Sequence, residues 1–259
     1  MPAAQAVLGK ENQMQVQELE QTLVLIKPDA LKNSLTGYVL SQLSEFHTGL
    51  RFAGAKIVQV GRMLAEEHYA EHRGKPFFPA IIEYIIGRAH YTDAPQRRRV
   101  IALVYQGQGA IKKIRDIAGP TNPHDAREQR PGSVRALGTI VPLKNPEGEP
   151  IGQRMDNLIH ASANTADAER EIKLWFKPND IPPAMRAFKS VQCKDHYYFK
   201  KDTLYTRHEP DSICLLAPGD AVWASDLEVL EKIIQGKPAA YTMQAVAAKY
   251  LINEERENE

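Results

Sequence analysis

Residues 156–176 read DNLIHASANTADAEREIKLWF, and this stretch decides the fold. Two apolar residues, Leu158 and Ile159, precede a histidine at the end of what reads as a buried strand. Asn164 then offers an N-cap for a helix over the rest of the stretch, with acidic residues in its first turns. A lone histidine at the end of a strand is most often a core residue with satisfied hydrogen bonds, so the meaning of His160 depends on the rest of the chain.

The bulk composition is that of an ordinary globular protein. Of the 259 residues, 43% are hydrophobic and 25% are charged, which suits one large domain or a domain with a smaller appendage. Lys and Arg number 33 against 32 Asp and Glu, and the formal net charge is +1. This balance gives no reason to expect a nucleic acid or a membrane as a partner.

The N-terminus and the cysteines indicate the compartment. Residues 1–20 form a polar tail that lacks the apolar core of a secretory signal or a membrane span. The two cysteines, Cys193 and Cys214, form no CxxC pair, so a zinc or redox site is not indicated. We expect both thiols to be reduced and the protein to be cytoplasmic.

Strand and helix patterns alternate through residues 21–181, which we predict to be one domain. Short apolar runs predict strands at 22–27, 55–64, 100–105 and 138–141. Helical spacing of apolar residues predicts helices at 36–46 and 110–117. This alternation is typical of an α/β sandwich built on one sheet. Two polar, turn-rich segments, 87–99 and 142–154, read as exposed insertions.

Residues 182–259 differ in texture and are predicted to form a C-terminal extension. The pattern up to Trp223 indicates irregular or hairpin structure, and two helices then follow as a helical hairpin. Ser225 and Glu228 have the spacing of a capping box. The last helix is predicted over 242–253. The first of the two carries an apolar stripe, which must be buried against the same chain or a neighbouring subunit.

A loop over 118–135 contains several prolines and glycines, and loops of this length inside a domain tend to be functional. It supplies Thr121 and several arginines, and Arg115 lies just before it. Guanidinium groups bind phosphate oxygens in pairs, although surface arginines more often lie on a solvated face. The chain has no GxxxxGK[ST] phosphate loop.

Four segments follow one another in an order that resembles the nucleoside diphosphate kinase family. They are TLVLIKPDAL (22–31), HYAEHRGKPFF (68–78), GPTNPHDAREQRPGSVR (119–135) and NLIHASANTADAEREIKLWF (157–176). The resemblance implies a ferredoxin-like βαββαβ sandwich, an α+β fold, with two insertions and a C-terminal extension. It also implies a kinase that moves the γ-phosphate of a nucleoside triphosphate to a nucleoside diphosphate in a ping-pong reaction.

The resemblance also implies a role for each matching residue. His160 matches the histidine that is phosphorylated, and Ser162 and Glu171 match the pair that supports it. The positions implied for the nucleotide are Lys27, Arg115, Thr121 and Arg135 at the phosphates, Asn157 at the sugar, Phe77 at the base and Tyr69 beside the histidine.

The expected chemistry agrees with these residue types. A neutral imidazole is a good nucleophile when its other nitrogen is held by an acceptor. Phosphoryl transfer then requires positioning and positive charge, which Lys27, Arg115 and Arg135 would supply. The family implies Mg²⁺ as cofactor, and because Mg²⁺ often binds largely through nucleotide phosphates, we expect no dedicated protein metal site.

Three departures from the family pattern leave alternatives open. Ala161 and Ala163 replace the usual glycine and aspartate around Ser162, and KPDA replaces KPDG at 27–30. A catalytically weak or inactive nucleotide-binding regulatory module of the same fold is therefore the alternative to an active enzyme, although no reacting group is lost. Relatives of this kind are commonly oligomers, so we also expect a homo-oligomer.

Overall fold

The computed structural model describes residues 20–144 and 147–251, so the predicted tail 1–20 lies outside the described residues except for Glu20. The strands in these residues are β1 (Glu20–Ile26), β2 (Arg51–Val58), β3 (Val100–Gly107), β4 (Thr139–Lys144), β5 (Pro150–Asp156), β6 (Ile159–Ala161), β7 (Ser190–Gln192), β8 (Tyr197–Lys200), β9 (Thr203–Tyr205), β10 (Ile213–Leu216) and β11 (Ala221–Trp223). The α-helices are α1 (Pro28–Lys32), α2 (Thr36–Gln42), α3 (Glu45–Thr48), α4 (Arg62–His68), α5 (Phe78–Ile86), α6 (Ala110–Ala118), α7 (Pro123–Gln129), α8 (Thr165–Trp175), α9 (Ala224–Ile234) and α10 (Met243–Ala247).

The central sheet has the order β2-β3-β1-β6, and all of its pairs are antiparallel. Strand β1 is buried along almost its whole length because it lies between two neighbours and under helices on both faces. Its alternating side chains divide between two cores, with Leu23 and Leu25 in one and Val24 and Ile26 in the other. This arrangement confirms the predicted ferredoxin-like α+β sandwich.

Each face of the sheet is covered by its own set of helices. On one face α4, α5 and α8 contribute Leu64, Ile85 and Trp175 to the core. On the other face α2 and α6 contribute Val39 and Ile114. The amphipathic spacing seen in the sequence is thereby buried on the sheet.

Three local predictions differ from the structure. The predicted helix over 36–46 is broken at Leu43, and Ser44 caps a separate short helix by accepting a hydrogen bond from the His47 N–H. The predicted strand over 55–64 lies earlier, because Gly61 is the N-cap of α4. Segment 142–154 belongs mostly to the two-stranded sheet β4-β5, whose strands extend to residue 156.

Segment 87–99 is not a wholly exposed insertion, contrary to the prediction. His90 is 8% exposed, and its Nε2 lies 2.8 Å from an Asp156 carboxylate oxygen. Asp156 also accepts two hydrogen bonds from the Arg154 guanidinium, at 2.6 and 3.0 Å. Segment 87–99, through His90, and segment 142–154, through Arg154, therefore both contact Asp156, the residue before Asn157.

The C-terminal extension packs against the domain formed by the preceding residues of the same chain. It contains the sheets β10-β8-β9 and β11-β7 and the adjacent helices α9 and α10, around a core of its own. Trp223 is fully buried in the core beneath the central sheet, and its indole N–H donates to the Phe176 carbonyl at 2.7 Å. Of the apolar stripe on α9, Leu230 is fully buried in the extension's core, whereas Ile234 is 42% exposed.

The capping box predicted at Ser225 and Glu228 is wrong. Helix α9 begins at Ala224, so Ser225 lies inside its first turn and its hydroxyl accepts a hydrogen bond from the Lys173 ammonium. The last helix is also shorter than predicted, ending at Ala247 before a 3₁₀ turn over 248–250. Among the described residues, no helix is both long and apolar enough to cross a membrane.

Candidate active site

His160 lies on β6, opposite the buried Leu25 of strand β1. Its Nε2 is 2.8 Å from a carboxylate oxygen of Glu171, on α8. The Ser162 hydroxyl donates to the same oxygen at 2.7 Å and accepts a hydrogen bond from the Leu23 N–H. Strand β6, Ser162 and helix α8 therefore hold the Glu171 carboxylate against Nε2 of His160.

The partner of Nε2 determines the chemistry of the ring. A carboxylate only accepts hydrogen bonds, so Nε2 carries the proton in the neutral imidazole and Nδ1 keeps its lone pair. Burial alone would raise the pKa of Glu171, but the facing His160 lowers it to about 2. Glu171 is therefore ionised at neutral pH, and the side chain of His160 remains 18% exposed.

The approach to His160 is a tight turn centred on Leu158. Leu158 has a φ of 68°, which is rare for a branched side chain, and it is 1% exposed. The Ile159 N–H donates to the Asn157 carbonyl at 2.7 Å, which closes a γ-turn. An Asp29 carboxylate oxygen accepts a hydrogen bond from the Leu158 N–H at 2.9 Å, and the Lys27 N–H donates to the Leu158 carbonyl at 2.9 Å. The KPD segment thus holds the strained turn in place.

Lys27, Asn157 and Thr121 lie together, as the resemblance implies. The Lys27 ammonium donates to the Asn157 amide oxygen at 2.6 Å, and the Asn157 amide donates to the Thr121 carbonyl at 2.8 Å. Burial, reinforced by the charge of Arg135, lowers the pKa of Lys27 to about 7. An anionic ligand in the site would restore the charged form.

The two predicted phosphate arginines differ in their surroundings. Arg135 is 5% exposed, and its guanidinium donates to the Gly119 and Ile159 carbonyls. Burial, with the charge of Arg115 close by, lowers its pKa to about 10. The side chain of Arg115 lies on α6 and is less buried. Arg135 therefore also stabilises the fold through its bonds to two backbone carbonyls, whereas the side chain of Arg115 is exposed to solvent.

Tyr69 and Phe77 lie on the segment between α4 and α5. Tyr69 is buried, and its hydroxyl has no hydrogen-bond partner among the described residues. Its ring stacks on His72 at 6.1 Å between centroids, and the His72 ring meets Phe77 at 5.4 Å. Phe77 is 46% exposed, which makes it an open aromatic face at the rim of the site.

Three further residues of the site were missed by the sequence reasoning. The Asp29 carboxylate stabilises the γ-turn by accepting a hydrogen bond from the Leu158 N–H. The Tyr84 hydroxyl accepts a hydrogen bond from the Asn157 N–H. The His68 ring stands edge-on to His160 with 4.5 Å between centroids, and its Nδ1 accepts from the Trp175 indole N–H. Asp29 and His68 lie within the quoted segments, in KPD (27–29) and HY (68–69), and could have been noticed there, but nothing in the sequence indicated Tyr84.

The replacement of glycine by Ala161 has a simple structural basis. Ala161 lies in β6 and pairs with Val24, and it is not among the described residues with positive φ. Because its backbone lies in the extended region, a methyl group at this position requires no glycine conformation. Ala163 is exposed beyond the end of the strand.

The sequence of this chain is similar to those of known proteins. A family model described as nucleoside diphosphate kinase matches residues 20–181. The nucleoside diphosphate kinase of Pyrococcus furiosus is 39% identical over 184 residues, which cover 71% of this chain and 96% of that protein. A corresponding enzyme of Thermus thermophilus is 37% identical over 164 residues, 63% of this chain and 99% of that protein.

A solved structure gives the same result for the fold. The Aquifex aeolicus nucleoside diphosphate kinase superimposes with a TM-score of 0.50 at 30% identity, over 63% of this chain and 99% of that chain. The family model, the curated relatives and the solved structure all carry the same family description. The chain therefore belongs to the nucleoside diphosphate kinase family.

Proposed function

We propose that His160 is the nucleophile with which this phosphotransferase exchanges the terminal phosphate between nucleoside triphosphates and diphosphates. The observation that carries the proposal is the hydrogen bond from His160 Nε2 to Glu171, which leaves Nδ1 as the free nucleophilic atom. Glu171 and Ser162 hold the ring, and Lys27, together with Arg135, supplies positive charge around it.

The reaction has two half-steps. In the first, Nδ1 of His160 attacks the γ-phosphorus, a P–N bond forms, and the bond from the γ-phosphorus to its bridging oxygen breaks, which releases a diphosphate. In the second, a terminal phosphate oxygen of another diphosphate attacks the same phosphorus and the P–N bond breaks. The chain ends unchanged, with Glu171 stabilising the positive charge that the ring gains in between.

The other residues position the nucleotide. Lys27, Arg115, Thr121 and Arg135 surround the phosphates, and positive charge on the non-bridging oxygens lowers the barrier of phosphoryl transfer. Asn157, held between Lys27 and the Thr121 carbonyl, contacts the sugar. Phe77 stacks the base, and Tyr69 closes the site beside the histidine.

A divalent cation accompanies nucleotides in this family, and we infer that here it is Mg²⁺ carried by the phosphates. Among the described residues, the cluster with metal-ligand spacing is His68, His160 and Glu171, whose imidazole nitrogens suit transition metals better than Mg²⁺. The other acids near the site, Asp29 and Asp156, already engage protein groups. When bound, Mg²⁺ neutralises phosphate charge.

A coupled assay with His160→Ala tests the assignment of the nucleophile. The variant should lose exchange while keeping its fold, since the ring is partly exposed. Activity above trace levels in a folded His160→Ala protein would remove His160 from the mechanism. An inactive regulatory module would instead bind nucleotides with no exchange in the unaltered chain.

We also infer a homo-oligomer, with the exposed aromatic side chains of α3 and of the start of β2 at an interface between copies. Phe46 on α3 is 94% exposed and Phe52 on β2 is 37% exposed. The two elements are adjacent, because the Phe52 N–H donates a hydrogen bond to the Glu45 carboxylate at 2.8 Å. Neighbouring exposed apolar side chains favour burial against a second copy. Light scattering on Phe46→Lys should show a smaller assembly than the unaltered chain.

A cytoplasmic location is the last part of the proposal. The cysteines Cys193 and Cys214 are both free, and Cys214 is exposed, which suits a reducing compartment. Cell fractionation tests it.

A further inference from the structure

Helix α4 is held between the central sheet and the C-terminal extension. Leu64 packs into the core beneath the sheet, and Met63 packs against both that core and the core of the extension. Helix α10 of the extension lies against α4 on its outer side. The segment over 69–77, which carries Tyr69 and Phe77, begins directly after this helix. We call residues 69–77 the base segment.

Glu67, near the end of α4, joins three parts of the chain. One of its carboxylate oxygens accepts a hydrogen bond from Arg73 of the base segment at 2.5 Å. The other oxygen accepts from the hydroxyl of Thr242, in the extension, at 3.2 Å. Its backbone carbonyl accepts from Arg170 of α8 at 3.3 Å. The Glu67 side chain is 10% exposed, although that of Arg73 is 47% exposed.

Among the described residues, the other hydrogen bonds near Arg73 are local to the base segment, such as those from the Arg73 N–H to the Ala70 carbonyl and from the Lys75 N–H to the His72 carbonyl. Residues 73–77 are exposed, and Gly74 has a φ of 82°. Segments with few buried contacts open at low free-energy cost, so a bond at Arg73 restricts the segment at the point where it leaves α4. The Arg73 bond therefore limits the positions that Phe77 can adopt.

The same junction reaches the nucleophile from another direction. Arg170, which donates to the Glu67 carbonyl, also lies 3.5 Å from the carboxylate oxygen of Glu171 that does not face His160. Glu171 thus has His160 and Ser162 on one oxygen and Arg170 on the other. Glu67 is therefore hydrogen-bonded directly to the base segment, to the extension and to Arg170. Arg170 in turn contacts Glu171, which holds the His160 ring.

We propose that Glu67 is a positioning residue through which the C-terminal extension, by Thr242, orders the base segment for nucleotide binding. Thr242 is also the N-cap of α10, so its hydroxyl sits at a fixed point of the extension. With Glu67 held by Thr242, its second oxygen is oriented toward Arg73. The extension thereby takes part in nucleotide binding without touching the nucleotide.

This inference rests on the proposed function, because it assumes that Phe77 contacts the base. Loss of the junction should raise the KM for the diphosphate by about three- to tenfold, the equivalent of one hydrogen bond. The kcat should stay unchanged, because the groups that contact the phosphates remain in place. A merely structural role would lower the melting temperature and leave the KM unchanged.

The test measures KM, kcat and melting temperature on the full chain. Glu67→Gln leaves one acceptor for two donors, and Thr242→Val removes the hydroxyl. Glu66→Gln is the matched control, because Glu66 is on the same helix and its carboxylate bonds to Arg62 instead. Thr242→Ser keeps both the cap and the bond. Arg73→Met alone and a double variant, Thr242→Val with Arg73→Met, test whether the two positions act through one route.

We expect Glu67→Gln and Thr242→Val to raise KM at constant kcat, the two controls to match the unaltered chain, and the double variant to be no worse than Arg73→Met alone. An unchanged KM in Glu67→Gln or Thr242→Val, or an equal rise in the controls, overturns the proposal.

Phe77→Ala distinguishes a failure of the proposed base contact from a failure of the proposed role of Glu67. If Phe77→Ala raises KM while Glu67→Gln does not, only the proposed link between the extension and the base segment through Glu67 is wrong. If Phe77→Ala leaves KM unchanged, base binding by Phe77 is wrong and the coupling falls with it.

Discussion

At the scale of single residues, the site combines groups that are exposed with groups whose charge is buried. Arg135 is almost fully buried and bonds two backbone carbonyls, whereas Arg115 lies on the surface of α6. Both arginines supply charge to the same phosphates in our proposal. The two arginines should therefore have similar effects on catalysis and different effects on stability.

Arg115→Ala and Arg135→Ala test this difference. Each should slow exchange by about 10²-fold or more, as loss of a charge that stabilises the transition state usually does. Arg135→Ala should also lower the free energy of unfolding by about 1–3 kcal/mol, since two carbonyls lose their partner. Arg115→Ala should unfold like the unaltered chain in urea. Normal turnover by both variants would place neither arginine at the phosphates.

If Lys27 contacts the phosphates as we propose, nucleotide binding should depend on pH. Its pKa in the free site is about 7, mainly because it is buried, and bound phosphate stabilises the charged form. Above about pH 7 the free lysine is neutral, so binding must take up a proton and the KM should rise, by at most about tenfold per pH unit.

Lys27→Arg provides the control, because a guanidinium keeps its charge through this range. Its KM should be flat where that of the unaltered chain rises. Stability should show the opposite dependence. Because the folded pKa is below the value of 10.5 in the unfolded chain, the folded state gains stability from Lys27 as pH rises from about 7 to 10.5. A KM independent of pH in both proteins would contradict a buried, titrating Lys27.

At the scale of elements, the γ-turn at Leu158 connects the β4-β5 sheet to the strand that carries His160. A positive φ at a branched residue is costly and persists only where the surroundings impose it. The Asp29 carboxylate bonds the Leu158 N–H, and the Lys27 backbone bonds its carbonyl. Helix α1 and the residue before it thus fix the turn that leads to His160.

Asp29→Ala should leave the buried Leu158 N–H without a partner. We expect a loss of about 1–3 kcal/mol in the free energy of unfolding, with slower phosphorylation of His160. Asp29→Asn keeps an acceptor oxygen and should retain most of the stability. Denaturation in urea and single-turnover kinetics measure the two effects. Equal stability of the alanine and asparagine variants would mean that the turn does not need the bond.

The elements that the sequence predicted well are those with a strong local signal, either a continuous apolar run or a helix N-cap. The run at 22–27 was recognisable as a strand, and the helix after Asn164 was recognisable from its cap and acidic first turn. The capping box at Ser225 failed because the Lys173 ammonium, far away in sequence, binds that hydroxyl. Tyr84 and His90 could not be predicted as parts of the site surroundings, because their partners come from the β5 strand and the turn after it.

At the scale of the whole molecule, the extension covers α4 and α8 with the same chain. Trp223 and Ala248 enter the core beneath the sheet, and the Tyr241 hydroxyl and the Lys249 ammonium both bond the buried Asp226 inside the extension. We therefore expect the extension to stabilise the domain.

Truncation after Pro182 should lower the melting temperature by roughly 5–10 °C, because it uncovers the apolar surface beneath Trp223. His160 should still become phosphorylated, since Glu171 and Ser162 lie outside the removed part. Trp223→Ala in the full chain is a milder version of the same change. Calorimetry and phosphate labelling on the same samples measure both. A folded truncated protein that is as stable as the full chain and has no phosphohistidine would place the extension in the active site.

The central claim is that the phosphate passes through Nδ1 of His160. The most direct measurement incubates the full chain and His160→Ala with γ-labelled ATP and analyses both under alkaline and acidic conditions, followed by NMR of the phosphorylated ring. We predict a label that survives alkali, is lost in acid, is absent from His160→Ala, is attached at Nδ1, and is discharged by added diphosphate. A label that persists in His160→Ala, or a phosphate on Nε2 where Glu171 bonds the ring, would contradict the account.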